Sequence, residues 1–266
     1  MIKLVATDID GTMLKSDFTF NPEVIECVKT LTQRGIKIAL ITGRMNESTI
    51  PLYNQLGLVD MPIGSYQGAL VKINDTVLYE RCLDSEIARE VINWAKAEKI
   101  HINLYMDDVL YSEIDDDTIK RYTNERNVKF ACRNFDELEL KNVNKILLID
   151  FKNPDRITFA KDFLVEKYPD LHICKSMDYF CEVCNPEASK GDAVRFLMNY
   201  YGLKQDEVLC IGDHNNDIAL LEAGGIKVAM GNGTKEIKAV ADYVTDTVSE
   251  NGFVKAMERF VLNAKV

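Results

Sequence analysis

Four short polar runs in this 266-residue chain carry the residue types and spacing that phosphoryl chemistry needs. Asp8-Ile9-Asp10-Gly11-Thr12 sets two carboxylates two positions apart, then a glycine and a hydroxyl. A carboxylate at the end of a buried strand can attack phosphorus and form an aspartyl-phosphate, which makes Asp8 the candidate nucleophile. Asp10 keeps the same facing if the chain stays extended, and can serve as general acid and then base. Gly11 and Thr12 let the chain turn and offer main-chain N–H groups to phosphate oxygens. Thr42-Gly43-Arg44 adds a hydroxyl, a glycine and a cation, with Arg44 equally suited to a surface ion pair. Lys190, in Ser189-Lys190-Gly191, can neutralise charge shared by nucleophile and phosphate. In Gly212-Asp213-His214-Asn215-Asn216-Asp217, Asp213 can complete a metal shell and Asp217 can orient it. Carboxylates, a lysine, an arginine and small donors together suit a magnesium ion and a phosphoryl group.

Those runs need elements that deliver them to one place. Strand and helix patterns alternate along the chain, the signature of an α/β fold with a largely parallel sheet. Residues 2–7 form a short apolar run that ends in acids, a buried strand. Asn21-Pro22 starts a helix with Val24, Ile25, Val28 and Leu31 at helical spacing, stopping at Gly35. A second buried strand is expected at 36–41, then a helix, a strand at 62–66 and a hairpin turning near Asn74-Asp75. A second register follows: a helix at 85–98, strands at 101–106 and 109–112, a polar helix at 117–124, a strand at 145–151, a helix after Pro154, and strands near Leu171 and Tyr179. The first style resumes with a helix at 189–201 ended by Gly202, a strand at 207–211, a further helix, a strand at 226–229 and a last helix at 252–261. The expected organisation is a discontinuous core, 1–82 and 188–266, with a separate α/β domain at 83–187 inserted into it. In an open parallel sheet, ligands bind beyond the carboxyl ends of the strands, where the four runs fall.

The ordered motifs resemble those of the haloacid dehalogenase (HAD) superfamily, in its Cof-type branch with a large α/β cap. The resemblance implies a Rossmann-like parallel-sheet core, and a cap at 83–187 that selects the substrate. It implies that Asp8 is the nucleophile and Asp10 the acid/base, and that Thr42 and Lys190 bind phosphate. It also implies that Asp213 joins Asp8 and the Asp10 carbonyl around Mg²⁺, with Asn216 and Asp217 supporting phosphate and metal. The run from Glu182 to Lys190 resembles the stretch leading from a cap strand to the lysine, with Asn185 a substrate contact. Gln67-Gly68-Ala69 stands where the branch usually has Asn-Gly-Ala, and Gly231-Asn232-Gly233 where Gly-Asn-Ala is usual. By position, Gly11, Thr12, Gly43, Arg44, Gln67, Glu182, Asn185 and Asn216 are the candidate substrate-binding residues.

Composition narrows the field further. Apolar residues make up 47% and charged residues 28%, a balance that supports a buried core. The formal charge is −10, from 32 basic and 42 acidic residues, so a polyanion such as DNA is not an expected partner. No signal-peptide pattern opens the sequence, and the most apolar stretch, 145–150, is far too short to span a bilayer. Seven scattered cysteines read as reduced thiols in a cytoplasmic protein. Asp213-x-Asn215-x-Asp217 is no calcium loop, because Ile218 and Gly224 stand where glycine and glutamate are required. Cys181-x-x-Cys184 has no second pair for zinc. The expectation is a Mg²⁺-dependent phosphatase of a small phosphorylated metabolite, either a sugar phosphate or a cofactor such as FMN or pyridoxal phosphate. No membrane or protein partner is expected. A phosphomutase or phosphotransferase on the same scaffold is the alternative, and a non-catalytic phosphometabolite sensor is a third.

Overall fold

The structure, a computed structural model, describes residues 1–126 and 128–263. In chain order, β1 (Leu4–Thr7), α1 (Pro22–Gln33), β2 (Lys37–Ile41), α2 (Asn46–Gln55), β3 (Ile63–Ser65), β4 (Leu70–Ile73) and β5 (Thr76–Glu80) come first. The middle stretch forms α3 (Ser85–Ala97), β6 (His101–Met106), β7 (Val109–Ser112), α4 (Asp117–Arg126), β8 (Ala131–Cys132), β9 (Val143–Ile149), α5 (Pro154–Lys167), β10 (His172–Met177) and β11 (Phe180–Cys184). The last stretch forms α6 (Lys190–Tyr201), β12 (Val208–Gly212), α7 (Ile218–Ala223), β13 (Ile226–Ala229), α8 (Lys235–Val240), β14 (Tyr243–Val244) and α9 (Gly252–Met257). Two compact units result. One comprises Met1–Arg44, Thr49–Tyr79 and the chain from Ser189 on, the other Met45–Ser48 and Glu80–Ala188.

The first unit is built on a sheet ordered β14-β13-β12-β1-β2-β3-β4-β5, parallel from β14 through β3 and antiparallel between β3 and β4. β1 and β12 are buried at every position, as expected of parallel strands covered on both faces. Val5, Ile38, Leu40, Leu209 and Ile211 face α1 and α9 through Val24, Val28, Leu31, Phe253 and Met257. Leu4, Ala6, Ala39, Ile41 and Cys210 face α6 and α7 through Val194, Leu197, Leu220 and Leu221. Thr7 lies opposite both Ile211 and Leu40, so β1, β2 and β12 end within about a residue of the same level. Asp8, Thr42 and Asp213 therefore leave the sheet side by side. The helix bearing Lys190 is capped at its start, where the Ser189 hydroxyl accepts the Asp192 N–H, and closed by Gly202 at φ 64°.

The second unit departs from the expected parallel pattern. Its sheet runs β10-β11-β9-β6-β7-β8, antiparallel except between β7 and β8. The reason lies in its short turns. Asp107 and Asp108, at φ 54° and 58°, form a two-residue hairpin loop of the kind that joins antiparallel strands. α3 and α5 cover one face, packing Val91, Ile92, Ala95, Ile157, Ala160 and Leu164 on Ile102, Leu104, Ile146, Leu148, Cys181 and Val183. The strand expected at 145–151 begins and ends two residues earlier, at Val143–Ile149. Asp150 stops it by accepting the N–H groups of Lys152 and Asn153. Likewise, the last helix is α-helical only to Met257 and finishes as a π turn over Glu258–Leu262. None of the described helices is long and apolar enough to cross a membrane.

Candidate active site

Asp8 is 5% exposed, and its Oδ1 accepts from Lys190 Nζ at 2.6 Å. Lys190 Nζ also donates to Asp217 Oδ1 at 2.5 Å. The second oxygen of Asp217 accepts the N–H groups of Asp213 and His214, each at 3.0 Å, which folds the loop after β12 back on itself. Asp213 completes the group: Asp8, Asp213 and Asp217 each place a carboxylate oxygen within 4.8 Å of the others. Thr12 donates to Asp213 Oδ1 at 3.3 Å. Gly11, at φ 80°, is the residue this approach requires, because a Cβ there would lie 2.3 Å from Asp213 Oδ2.

Burial dominates the electrostatics. It raises the Asp8 carboxyl above the ordinary range; Lys190 opposes the shift, and Asp217 and Asp10 add to it. Asp213 is raised by burial and then by its neighbours Asp8 and Asp217. For Lys190 burial disfavours the charge, but Asp217 and Asp8 outweigh it and hold the ammonium firmly protonated. Three carboxylates around one lysine leave uncompensated negative charge in a site made of hard oxygen donors. That donor set fits a divalent cation of the magnesium type.

Asp10 takes a different course from Asp8. Its carboxylate is gripped by Arg44, with Nε donating to Oδ2 at 2.7 Å and Nη2 donating to Oδ1. A bidentate guanidinium holds that carboxylate, and the main-chain carbonyl of Asp10, the group expected at the cation, is what remains to offer a metal. The Arg44 side chain is 11% exposed and that of Asp10 42%, so the pair is a half-buried clamp with the guanidinium on its inner side. Thr42 is 1% exposed, and its hydroxyl oxygen accepts the Arg44 N–H at 3.2 Å, which leaves the hydroxyl proton to donate.

A family model for haloacid dehalogenase-like hydrolases matches residues 5–257. The chain belongs to the haloacid dehalogenase-like hydrolase family. A Haemophilus influenzae relative is 34% identical over 97% of this chain and 98% of its own. A 5-amino-6-(5-phospho-D-ribitylamino)uracil phosphatase of Bacillus subtilis is 27% identical over 94% of this chain and 95% of its own. The crystal structure of a haloacid dehalogenase-like hydrolase from Bacteroides thetaiotaomicron superposes with a TM-score of 0.87 at 25% identity, covering 97% and 99% of the two chains. The expectation of a HAD-superfamily member is met, and the protein is a HAD-type phosphoric monoester hydrolase.

The other candidates of this HAD-like hydrolase sort by unit. Gln67 is fully buried, and its Oε1 accepts from Asn216 Nδ2 at 3.1 Å. Glu182 and Asn185 belong to the second unit. There Glu182 pairs with the buried Lys145 at 3.2 Å, and Asn185 donates to the Cys82 carbonyl at 2.7 Å while accepting the Glu187 N–H. One contributor escaped the sequence reading. Asn232 donates to the Gly11 carbonyl at 2.8 Å and to Asp213 Oδ2 at 3.4 Å, and its Oδ1 accepts the Val248 N–H. Its signal was the Gly231-Asn232-Gly233 run, where glycines let the backbone come within reach of the site.

The raised Asp213 carboxyl carries a stability consequence with a definite sign. Its folded value lies above its unfolded one, so its contribution is fully present below the ordinary carboxylate range. That contribution is lost as pH climbs through the raised value. In chelator, Asp213→Asn should therefore raise the thermal midpoint, and by more at pH 8 than at pH 5. Added Mg²⁺ should stabilise the wild type but not the variant. Parallel midpoints for both proteins at both pH values would contradict the assignment.

Proposed function

We propose that the protein is a Mg²⁺-dependent phosphatase of a small phosphorylated metabolite, working through an aspartyl-phosphate on Asp8. The observation that carries this reading is the buried Asp8 carboxylate at the end of the central strand, held by Lys190. The Asp8 oxygen forms a bond to phosphorus as the ester P–O bond breaks, and Asp10 gives its proton to the departing alkoxide. Asp10 then takes a proton from water, whose oxygen attacks phosphorus, frees inorganic phosphate and restores Asp8. Lys190 and Thr42 bind phosphoryl oxygens, with the main-chain N–H groups of Gly11 and Thr12. Asp8, Asp213 and the Asp10 carbonyl would hold Mg²⁺, with Asp217 orienting the loop; the ion would supply charge neutralisation at the phosphoryl group. In this structure both Asp10 oxygens accept from Arg44, so one of them has to leave that clamp before Asp10 can carry a proton and pass it on.

The inserted stretch, taken as 83–187, is proposed to choose the leaving group, with Glu182 and Asn185 among its candidates. The Bacillus relative, whose named substrate carries a phosphorylated ribityl chain, supports a phosphorylated sugar, polyol or cofactor as the substrate class. All seven cysteines are free thiols, which supports a reducing, cytoplasmic setting. The test is phosphate release from a panel of sugar phosphates, nucleotides, FMN and pyridoxal phosphate, with Mg²⁺ and with chelator. Release that needs Mg²⁺ is the expected result. An isomerised ester with little free phosphate would assign a mutase instead, and binding without turnover across the panel would assign a sensor.

A further inference from the structure

We infer that Gln67 is a positioning residue: acting through Asn216, it fixes the loop that sets Asp213 and Asp217 against Asp8 and Lys190. Tyr66, Gln67 and Gly68 run consecutively at φ 52°, 60° and 94°. Two non-glycine residues in a row in the left-handed region persist only where the surroundings impose them. Here the Tyr66 N–H donates to the Arg44 carbonyl at 2.9 Å and the Gln67 N–H to the Thr42 carbonyl at 3.0 Å. At Gly68 a Cβ would lie 2.4 Å from the carbonyl oxygen of Ser189, the residue that caps the Lys190 helix. The Gln67 side chain closes the turn by accepting from Asn216 Nδ2 at 3.1 Å. One strained turn thus touches the Thr42–Arg44 run, the start of the Lys190 helix and the Asp213–Asp217 loop.

Gln67 has no exposed surface, so its influence on a bound ligand passes through its partners. Asn216 is the residue before Asp217, whose two oxygens hold Lys190 on one side and the Asp213 and His214 N–H groups on the other. Losing the Gln67 acceptor leaves the half-buried Asn216 amide short of its partner inside the protein and the loop free to shift, while the strand below it stays intact. This inference rests on the proposed roles of Asp213 and Asp217, but its first readout does not.

The experiment uses the full chain with Gln67→Met, which keeps length and Cβ but lacks the acceptor. In metal-free protein, the Asp213 and His214 amides should exchange with deuterium about tenfold faster than in the wild type. A thermal-shift titration should need more Mg²⁺ for its half-effect, and kcat should fall with KM nearly unchanged. In an Asn216→Ala background, Gln67→Met should add nothing further. Unchanged amide exchange, or effects that add in full to those of Asn216→Ala, would overturn the inference. If Gln67→Met does not fold, Asn216→Ala alone must show the same faster exchange. Faster exchange in a protein whose wild type hydrolyses no ester would sink the phosphatase reading and leave the positioning role standing.

Discussion

Asp8→Asn should abolish phosphate release, by a factor on the order of 10⁴ or more, the scale on which removing a covalent nucleophile acts. An amide in place of the carboxylate cannot form the acyl-phosphate, and no second carboxylate stands ready in its place, because Asp10 is clamped by Arg44 and Asp217 is spent on Lys190 and the loop amides. The fold should survive the change. Asp8 sits buried with a raised carboxyl, so removing its charge relieves a cost, and Lys190 keeps Asp217 as a partner. The thermal midpoint in chelator should therefore equal or exceed that of the wild type. Turnover within tenfold of the wild type would refute Asp8 as nucleophile.

Lys190→Met is the second large effect, and it falls on stability as much as on activity. Lys190 is 2% exposed and is the ammonium between two buried carboxylates. Its removal leaves Asp8 and Asp217 desolvated and facing Asp213 with no compensating cation. Breaking a buried ion pair from one side costs about 3–5 kcal/mol, far more than losing an exposed one. Denaturant unfolding in chelator should show that loss at pH 8 and a smaller one at pH 5, where protonation supplies part of the missing neutralisation. Adding Asp217→Asn to Lys190→Met should recover much of the stability and none of the turnover. A single variant as stable as the wild type at pH 8 would show that the lysine is not what balances these carboxylates.

Much of the architecture was legible because it is written locally. The apolar runs of β1, β2 and β12 end in polar residues, and Asn21-Pro22, Ser189 and Gly202 mark helix ends within a few positions. Those short-range signals were enough to bring Asp8, Lys190 and Asp213 to one end of one sheet. The illegible parts depend on distance along the chain. Arg44 grips Asp10 from 34 positions away, Asn216 meets Gln67 across 149, and Asn232 reaches Gly11 across 221. No spacing rule announces such pairs. The antiparallel order of the second unit was hidden for a different reason. Its hairpin turns on Asp107-Asp108 rather than on the Asn-Gly or Asp-Gly pairs that usually declare one.

The sheet register has a consequence for how the protein comes into being. β1 and β2 are made first, yet β12, the other neighbour of β1, lies beyond an inserted unit of more than a hundred residues. Asp8 leaves the ribosome early and waits through the synthesis of Glu80–Ala188 before Lys190 and Asp213 exist to meet it. The contiguous inserted stretch can close its own sheet in the meantime, while the outer strands hold an open edge. A nascent chain that stops before Ser189 therefore possesses the proposed nucleophile and no active site. Assembly of the carboxylate cluster marks the moment at which β1 and β12, on either side of the inserted unit, have found each other.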